Sequence, residues 1–230
     1  MREKIGRARR RVRENGLSLV LVAVFVLLLA AQALVGVHEF NADRAEHNLP
    51  PATLPQYLAT GHFVETTAEN WESEFLQMAA YVLLTVVLVQ KGSSESKKLE
   101  GSEAVDADPR KVRGQALQHA PWPVRRGGWV LRVYEHSLSL AFVLLFLGSF
   151  AAHAIGGARA YSDDQIAHGG SRVSVIEYVQ TSRFWFESLQ NWQSEFLAIA
   201  AMVVLSIHLR QRGSPESKPV AAPHSHTGTE

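Results

Sequence analysis

The chain has 230 residues, a formal net charge of +1 and no cysteine, with 47% hydrophobic and 20% charged residues. These averages are ordinary for a globular protein, and the lack of cysteine excludes a disulfide, a thiolate metal site and a cysteine nucleophile. The averages conceal long apolar runs, however, and these runs predict a membrane protein.

Two of the apolar runs are long enough to cross a bilayer without further extension. They cover residues 17–37 and 138–158. A helix of that length spans about 30 Å, which is the hydrocarbon thickness of a membrane. Each run therefore predicts one transmembrane helix.

Two shorter runs follow, at residues 75–89 and 196–209. Alone, they are also compatible with buried helices of a soluble protein. Extended back to Trp71 and Trp192, they reach spanning length and place the indole rings at the level of the lipid headgroups. The prediction is an all-α integral membrane protein with four transmembrane helices.

The positive residues predict the orientation. Residues 1–16 carry seven Lys or Arg, residues 90–134 carry nine, and the tail from residue 210 carries three, so 19 of 23 lie on one side of the predicted membrane. The other side has only Arg44, Arg159, Arg172 and Arg183. The positive-inside rule then places both termini in the cytoplasm. We interpret the basic N-terminus as this topology signal with headgroup contact, in preference to nucleic-acid binding.

The first apolar run also has features of a signal peptide, because it follows a basic start and contains Ala31-Gln32-Ala33, which resembles a cleavage site. The run is long for a signal sequence, and the corresponding tripeptide 152–154 lies inside a later helix. We interpret the run as an uncleaved helix.

The two halves of the chain are similar in sequence. Residues 14–97 align with residues 135–218 at an offset of 121 without a gap, with 32 identical positions. The most similar segments are N-W-E-S-E-F-L at 70–76 and N-W-Q-S-E-F-L at 191–197. This similarity predicts a tandem duplication of a two-helix hairpin, and both hairpins insert the same way round.

The duplication defines the predicted domains, which are a basic cytoplasmic N-terminus (1–16), repeat 1 with an outer helical loop (17–90), a partly disordered cytoplasmic linker (91–134), repeat 2 (135–212) and a disordered cytoplasmic tail (213–230). In the outer loops, short helices are predicted to start near residues 54 and 175, the first from a capping box of Thr53 and Gln56. Gly61 is predicted to end that first helix, and the second is expected to run on through residue 189.

The repeated heptad supplies the candidate polar or ligand site. At helical spacing, Asn70, Glu74, Gln77 and Tyr81 form one stripe, which is predicted to face the bundle, and Asn191 with Glu195 continue it in the second copy. A carboxylate at this depth requires a partner. The functional interpretation is an acidic site with one carboxylate per repeat, and the favoured structural one is a hydrogen-bond clasp.

Aromatic residues at both surfaces are predicted to anchor the protein in the interfaces. These anchors are Trp71, Trp192, Trp185, Trp122 and Trp129.

A weaker pattern occurs once in each outer loop. Asp43 precedes His47 by four residues, and Asp164 precedes His168 in the same way. On a helix, this spacing suits either an ion pair or two metal ligands. The ion pair is favoured, and no metal or other cofactor is predicted.

The helix at 138–158 carries two further features. Gly148, Ala152 and Gly156 form a ladder of small residues that permits close helix contact. His153, which aligns with Gln32, is predicted to form a buried hydrogen bond, with a proton relay as the alternative.

With its N-W-Q-S-E-F element, two-hairpin duplication and S-E-S-K ending, the chain resembles a family of small bacterial multi-pass membrane proteins known only as a domain of unknown function. The resemblance covers residues 14–218. It implies a bacterial inner-membrane location and no activity.

No phosphate-binding glycine loop, H-E-x-x-H or G-x-S-x-G motif is present, so an enzyme is not expected. The first functional hypothesis is a non-enzymatic membrane module that binds lipid or a partner protein. The second is a small transporter or channel subunit with Glu74 and Glu195 at its outer entrance. The expected partners are the lipid bilayer and either a second copy of the chain or another membrane protein, without nucleic acid.

Overall fold

The computed structural model describes residues 10–228. Most of the predicted N-terminal segment 1–16 and the last two residues of the predicted tail therefore lie outside the described residues. Within the described range the chain is helical and contains no strand, as the apolar runs predict.

The helices follow one another with short connections. They are α1 (Gly16–Glu46), α2 (Leu54–Leu58), α3 (Gly61–Val87), α4 (Gly114–His119), α5 (Trp122–Arg126), α6 (Gly128–Glu135), α7 (Ser137–Ala167), α8 (Val175–Val179) and α9 (Ser182–His208). Two short 3₁₀ turns, Ala104–Asp106 and Pro109–Lys111, precede α4.

Helices α1 and α7 are the two that are long and apolar enough to cross a membrane. Only 11% of the most apolar stretch of α1 and 17% of that of α7 is buried within the protein. The core helix of a soluble protein would bury most of such a stretch, since large exposed apolar surfaces are rare in water. Both helices are therefore candidates for spanning a membrane.

The first and second halves of the chain have helices of the same lengths. Helices α1 and α7 have 31 residues each, α2 and α8 have five, and α3 and α9 have 27. Each start in the second half lies 121 residues after its counterpart, as at Gly16 and Ser137. The local sequence signals are therefore strong enough to set the same helix boundaries twice.

Helix α2 begins where its capping box predicts. The backbone N–H of Thr53 donates to Gln56 Oε1 at 2.8 Å, and Pro55 occupies the first turn, where its missing N–H costs nothing. The predicted role of Gly61 is wrong, because α2 already ends at Leu58 and Gly61 begins α3.

The second outer loop is also divided more than predicted. Residues 175–189 do not form one helix, since α8 ends at Val179 and α9 begins at Ser182. Thr181 separates the two helices because its side chain accepts from the backbone N–H of Phe184 and caps α9.

The chain divides into two compact units. The first comprises Met1–Glu65 and Ile155–Val175, as far as these are described. In it, the buried Tyr57 ring packs against Phe40, with ring centroids 5.4 Å apart. Gly156 allows close helix contact, because a Cβ there would lie 2.7 Å from the backbone nitrogen of Glu65.

Of the two glycines in the predicted ladder of small residues, only Gly156 lies against a neighbouring backbone. A Cβ added at Gly148 would meet nothing within 4 Å, so this part of the ladder makes no close helix contact.

The second unit comprises Thr66–Ala154 and Ile176–Glu230, again as far as described. It contains the tail as far as Gly228, and the predicted disorder of the tail stays a prediction. Lys218 is 1% exposed, and its ammonium group donates to the backbone carbonyls of Gly92, Ile207, His224 and His226. These bonds offset the desolvation of the charge and hold the tail against the start of the linker.

The start of the linker also makes side-chain hydrogen bonds to the helices, although residues 92–109 have the composition of a disordered segment. The hydroxyl groups of Ser93 and Ser206 lie 2.9 Å apart, and the Tyr81 hydroxyl donates to Glu95 at 2.9 Å. Polar side chains of the linker therefore pair with the ends of α3 and α9.

Candidate functional site: a buried Glu–His–Glu cluster

Three titratable side chains from three helices meet inside the second unit. Glu72 lies on α3, His153 on α7 and Glu187 on α9, and we call this group the Glu–His–Glu cluster. The side chains of Glu72 and His153 are 0% exposed, and that of Glu187 is 15% exposed. Charged groups buried this deeply require partners.

Both carboxylate oxygens of Glu72 have a partner. His153 Nδ1 lies 2.8 Å from Glu72 Oε2, and the indole N–H of Trp192 donates to Glu72 Oε1 at 2.9 Å. Because these contacts join α3 to α7 and to α9, a single carboxylate links three helices.

Glu187 is held on the other side of the imidazole ring. Tyr178 donates its hydroxyl to Glu187 Oε2 at 2.6 Å, and Arg183 donates from Nε to Glu187 Oε1 at 2.8 Å. His153 Nε2 lies 3.6 Å from Glu187 Oε2, at ion-pair distance, and has no hydrogen-bond partner among the described residues. The ring therefore lies between two carboxylates.

This arrangement favours the doubly protonated imidazole. A neutral ring that donates from Nδ1 to Glu72 would direct the lone pair of Nε2 toward the carboxylate of Glu187, whereas the imidazolium directs an N–H toward each carboxylate. Opposite charges and hydrogen bonds together make a buried ionic cluster tolerable.

Glu187 precedes Trp192 and so lies outside the predicted span of α9. Burial alone would raise the pKa of Glu187. The nearby His153 and the hydrogen bonds from Tyr178 and Arg183 outweigh the burial and lower the pKa from 4.5 to about 2. The carboxylate is therefore ionised at neutral pH and accepts from Tyr178 and Arg183.

Aromatic rings enclose the imidazole. The ring of Phe184, which is 0% exposed, stacks on His153 at a centroid distance of 4.8 Å and an interplanar angle of 28°. Phe150 meets Phe184 edge to face at 5.3 Å. This packing fixes the plane of the imidazole and excludes water from its face.

The predicted polar stripe does not face inward along its whole length. Asn70 and Glu74 are exposed, and the Asn70 amide donates to the Thr66 carbonyl of its own helix at 2.8 Å. Gln77 is buried and donates to the backbone carbonyl of Glu195 at 3.2 Å. The prediction that Asn70 and Glu74 face inward is therefore wrong, because both side chains lie on the exposed side of α3.

The other members of the candidate site are distributed along α3 and α9. Tyr81 is partly buried and bonded to the linker, as described above. Asn191 donates to the Glu187 carbonyl at 3.1 Å, and Glu195 is partly buried and experiences the negative charge of Glu74. The carboxylates of the two heptads are thus electrostatic neighbours, and a ligand between them remains a prediction.

The predicted tryptophan anchors fall into two groups. Trp192 is engaged by Glu72, and its ring centroid lies 6.4 Å from that of Trp185. Trp71, Trp122, Trp129 and Trp185 are exposed on the protein, and their role as interface anchors stays a prediction.

The two Asp–His pairs lie in the first unit. His47 Nδ1 is 3.9 Å from a carboxylate oxygen of Asp43, and His168 Nδ1 is 3.3 Å from one of Asp164. The two imidazole centroids are 5.4 Å apart. The local pairing that the spacing predicts is present, and the metal interpretation stays a prediction.

Of the three members of the cluster, only His153 could be singled out from the sequence. His153 was expected to form a buried hydrogen bond, and it does. Glu72 and Glu187 were not singled out, although Glu72 is the one position at which the two heptads differ, with Gln193 in the second copy. The aligned position of His153 is Gln32. At each of these two aligned positions, one half of the chain has a glutamine and the other half has Glu72 or His153. This paired difference is the sequence signal that could have identified the cluster.

Comparison with known proteins gives one match. A family described as a domain of unknown function (DUF6766) covers residues 8–229. The chain belongs to this family. No match is found among curated proteins or among solved structures. The match extends over both halves of the chain and the linker, so the DUF6766 domain includes all the helices described above.

Proposed function

We propose that this DUF6766 protein is a bacterial inner-membrane protein with four spans, α1, α3, α7 and α9, and with both termini in the cytoplasm. The observation that carries the proposal is the apolar surface of α1 and α7, most of which is not covered by protein. A bilayer is the solvent that favours such a surface. Helices α3 and α9 support the same arrangement, because they follow α1 and α7 after short outer segments.

The protein arose by tandem duplication of a helical hairpin. The constant offset of 121 residues in both the sequence and the helix boundaries supports this origin. Two copies that insert the same way round are related by an axis along the membrane normal. The copies have since diverged, and the Glu72–His153 pair stands where the alignment has two glutamines.

Within the membrane the protein acts as a non-enzymatic module that binds lipid or a partner protein. The Glu–His–Glu cluster supports this function because the imidazole lies between two carboxylates and two of its three side chains are fully buried. A cluster that is closed to solvent stabilises a helix arrangement, whereas a transport site requires access to solvent. The cluster is thus the clasp that holds α3, α7 and α9 together.

Cysteine labelling tests the topology directly, because the chain has no cysteine of its own. Single substitutions Asn48→Cys and Ser171→Cys probe the outer loops, and Ser102→Cys and Ser225→Cys probe the linker and the tail. When a membrane-impermeant maleimide is added to intact cells that have no outer-membrane barrier to the reagent, only Asn48→Cys and Ser171→Cys should react. All four should react after permeabilisation. Labelling of Ser102→Cys in intact cells would contradict the proposal.

A second function, as a small transporter or channel subunit, is favoured by one observation. Glu74 and Glu195 come from different repeats and are electrostatic neighbours, which is the arrangement expected of a shared cation entrance. Flux of protons and monovalent cations into proteoliposomes is the test. If the parent protein conducts and Glu74→Gln with Glu195→Gln does not, the transport function replaces the binding function.

A further inference from the structure

The linker forms a groove between α4, α5 and α6. Its volume is about 500 Å³. The walls carry four arginine side chains and six apolar side chains, and the lining includes Arg110, Arg113, Arg125, Arg132, Leu117 and Trp129. A groove with guanidinium groups beside an apolar wall suits a ligand that has both a phosphate and a hydrocarbon part.

The arginines of the groove differ in how they are paired. Arg110 is paired with Glu135 at 2.8 Å, and Arg113 donates to the carbonyls of Arg110 and Val112. Arg125 and Arg132 are exposed and have no acidic or hydrogen-bond partner among the described residues. Two fork-shaped donors are therefore available to an external anion.

The charge of the surrounding segment is strongly one-sided. Residues 109–134 contain six Lys or Arg and no Asp or Glu. An excess of this size attracts anions, and it repels the cationic ligands that an acidic site would take.

The groove also stands at the entrance to a membrane span. Helix α6 ends at Glu135 and α7 begins at Ser137, so one residue separates the groove segment from the apolar helix. Trp129, which is 76% exposed, is part of the groove wall. An exposed tryptophan beside a span is typical of the headgroup region.

From these observations we propose that the groove binds the headgroup phosphate of an anionic phospholipid in the cytoplasmic leaflet. Arg125 and Arg132 donate to the phosphate, and Trp129 contacts the upper acyl chain. The inference deepens the proposed function, on whose cytoplasmic placement of the linker it rests, and it names the lipid class. A bilayer lipid is preferred to free phosphate because half of the wall is apolar and because the span is adjacent.

The chain offers matched controls for the test. Arg126 is next to Arg125, is exposed and carries the same charge, but it does not line the groove. Trp122 is 60% exposed and also lies outside the lining. Arg125→Gln with Arg132→Gln therefore has Arg126→Gln as its control, and Trp129→Ala has Trp122→Ala.

The measurement is native mass spectrometry of the full-length protein released from nanodiscs that contain phosphatidylcholine with a minor fraction of phosphatidylglycerol. The parent should retain phosphatidylglycerol in preference to phosphatidylcholine. Since each arginine near the headgroups contributes about a few-fold in affinity, the double variant should retain roughly tenfold less phosphatidylglycerol. Trp129→Ala should lower retention as well, and both controls should match the parent.

The outcomes separate the alternatives. Equal retention by the double variant and the parent would overturn the proposal, as would an equal loss in Arg126→Gln, which would indicate a diffuse charge effect. Displacement of the lipid by inorganic phosphate, with phosphate bound in its place, would assign the groove to a free anion and would also overturn it. If the protein fails to enter nanodiscs or the cysteine labelling reports a different topology, the proposed function itself has failed. Normal insertion without lipid preference rejects only the groove site.

Discussion

His153 and Glu72 form a fully buried pair, with His153 Nδ1 2.8 Å from Glu72 Oε2, although 81 residues separate them in the chain. The pair connects α7 to α3, so it joins a helix from the first half of the chain to one from the second half. Such a contact stabilises the assembled bundle only when both members are present.

Substitution Glu72→Gln should therefore strongly destabilise the protein. The amide can still accept from Trp192, but it leaves the imidazolium of His153 with a weaker, uncharged acceptor. Loss of one member of a buried pair costs about 3–5 kcal/mol. Denaturation in detergent micelles, followed by circular dichroism, measures the change.

The exposed Glu74 provides the control for that experiment. Glu74→Gln removes the same charge two residues away and should change the free energy of unfolding by no more than about 0.5 kcal/mol. Similar losses in the two variants would show that charge alone, and not the buried contact, is responsible.

The double substitution Glu72→Gln with His153→Gln should recover part of the loss. It restores the two glutamines that the alignment places at Gln193 and Gln32, and it removes both charges of the pair together. The double variant should be more stable than the sum of the two single effects predicts, with a coupling energy of about 1–3 kcal/mol. Additive effects in the same denaturation assay would count against direct pairing.

The acidity of Glu187 predicts how stability depends on pH. Its pKa is lowered from 4.5 to about 2 in the folded protein, so the folded state binds the proton less readily than the unfolded state. The stabilisation is present above pH 4.5 and is lost as the pH falls from about 4.5 toward 2.

Thermal unfolding across this pH range, compared between the parent and Glu187→Gln, isolates the contribution of Glu187. The variant should be less stable at neutral pH, and the difference should shrink below pH 4.5. A difference that is constant down to about pH 2.5 would indicate that the carboxylate charge contributes nothing.

The helical framework could be predicted because its signals are local. The long apolar runs specify α1 and α7, and the Thr53–Gln56 capping box specifies the start of α2. The same signals occur in both copies, and the helix boundaries recur with them.

The cluster could not be predicted in the same way, because helix periodicity does not reveal which face of a helix its neighbours cover. Glu72 and Glu74 are two residues apart, which is about 200° around a helix, so only one of them can face a given neighbour. The predicted polar stripe contains Glu74 and Gln77 and leaves out Glu72. The structure buries Glu72 on the opposite side, beside a histidine that is remote in the sequence.

The contacts of the tail could not be predicted for a similar reason. The composition of residues 213–228 is that of a disordered segment, and no local pattern marks the carbonyl groups that surround Lys218. Those carbonyls come from three separate places in the chain, at Gly92, at Ile207 and at His224 with His226. Only the folded arrangement brings them together.

Substitution of Lys218 therefore tests whether these hydrogen bonds hold the tail against the linker. Lys218→Met keeps the length of the side chain but leaves the surrounding carbonyls without their donor, and unpaired buried polar groups are costly. The tail should then detach from the linker, and its cleavage by proteinase K should accelerate by roughly tenfold. Lys97 is the matched control, because it is the aligned residue of the first repeat and makes a more exposed ion pair with Asp106 at 2.9 Å. Lys97→Met should leave the tail as resistant as in the parent, whereas equal cleavage of the parent and the Lys218 variant would mean that this lysine does not hold the tail in place.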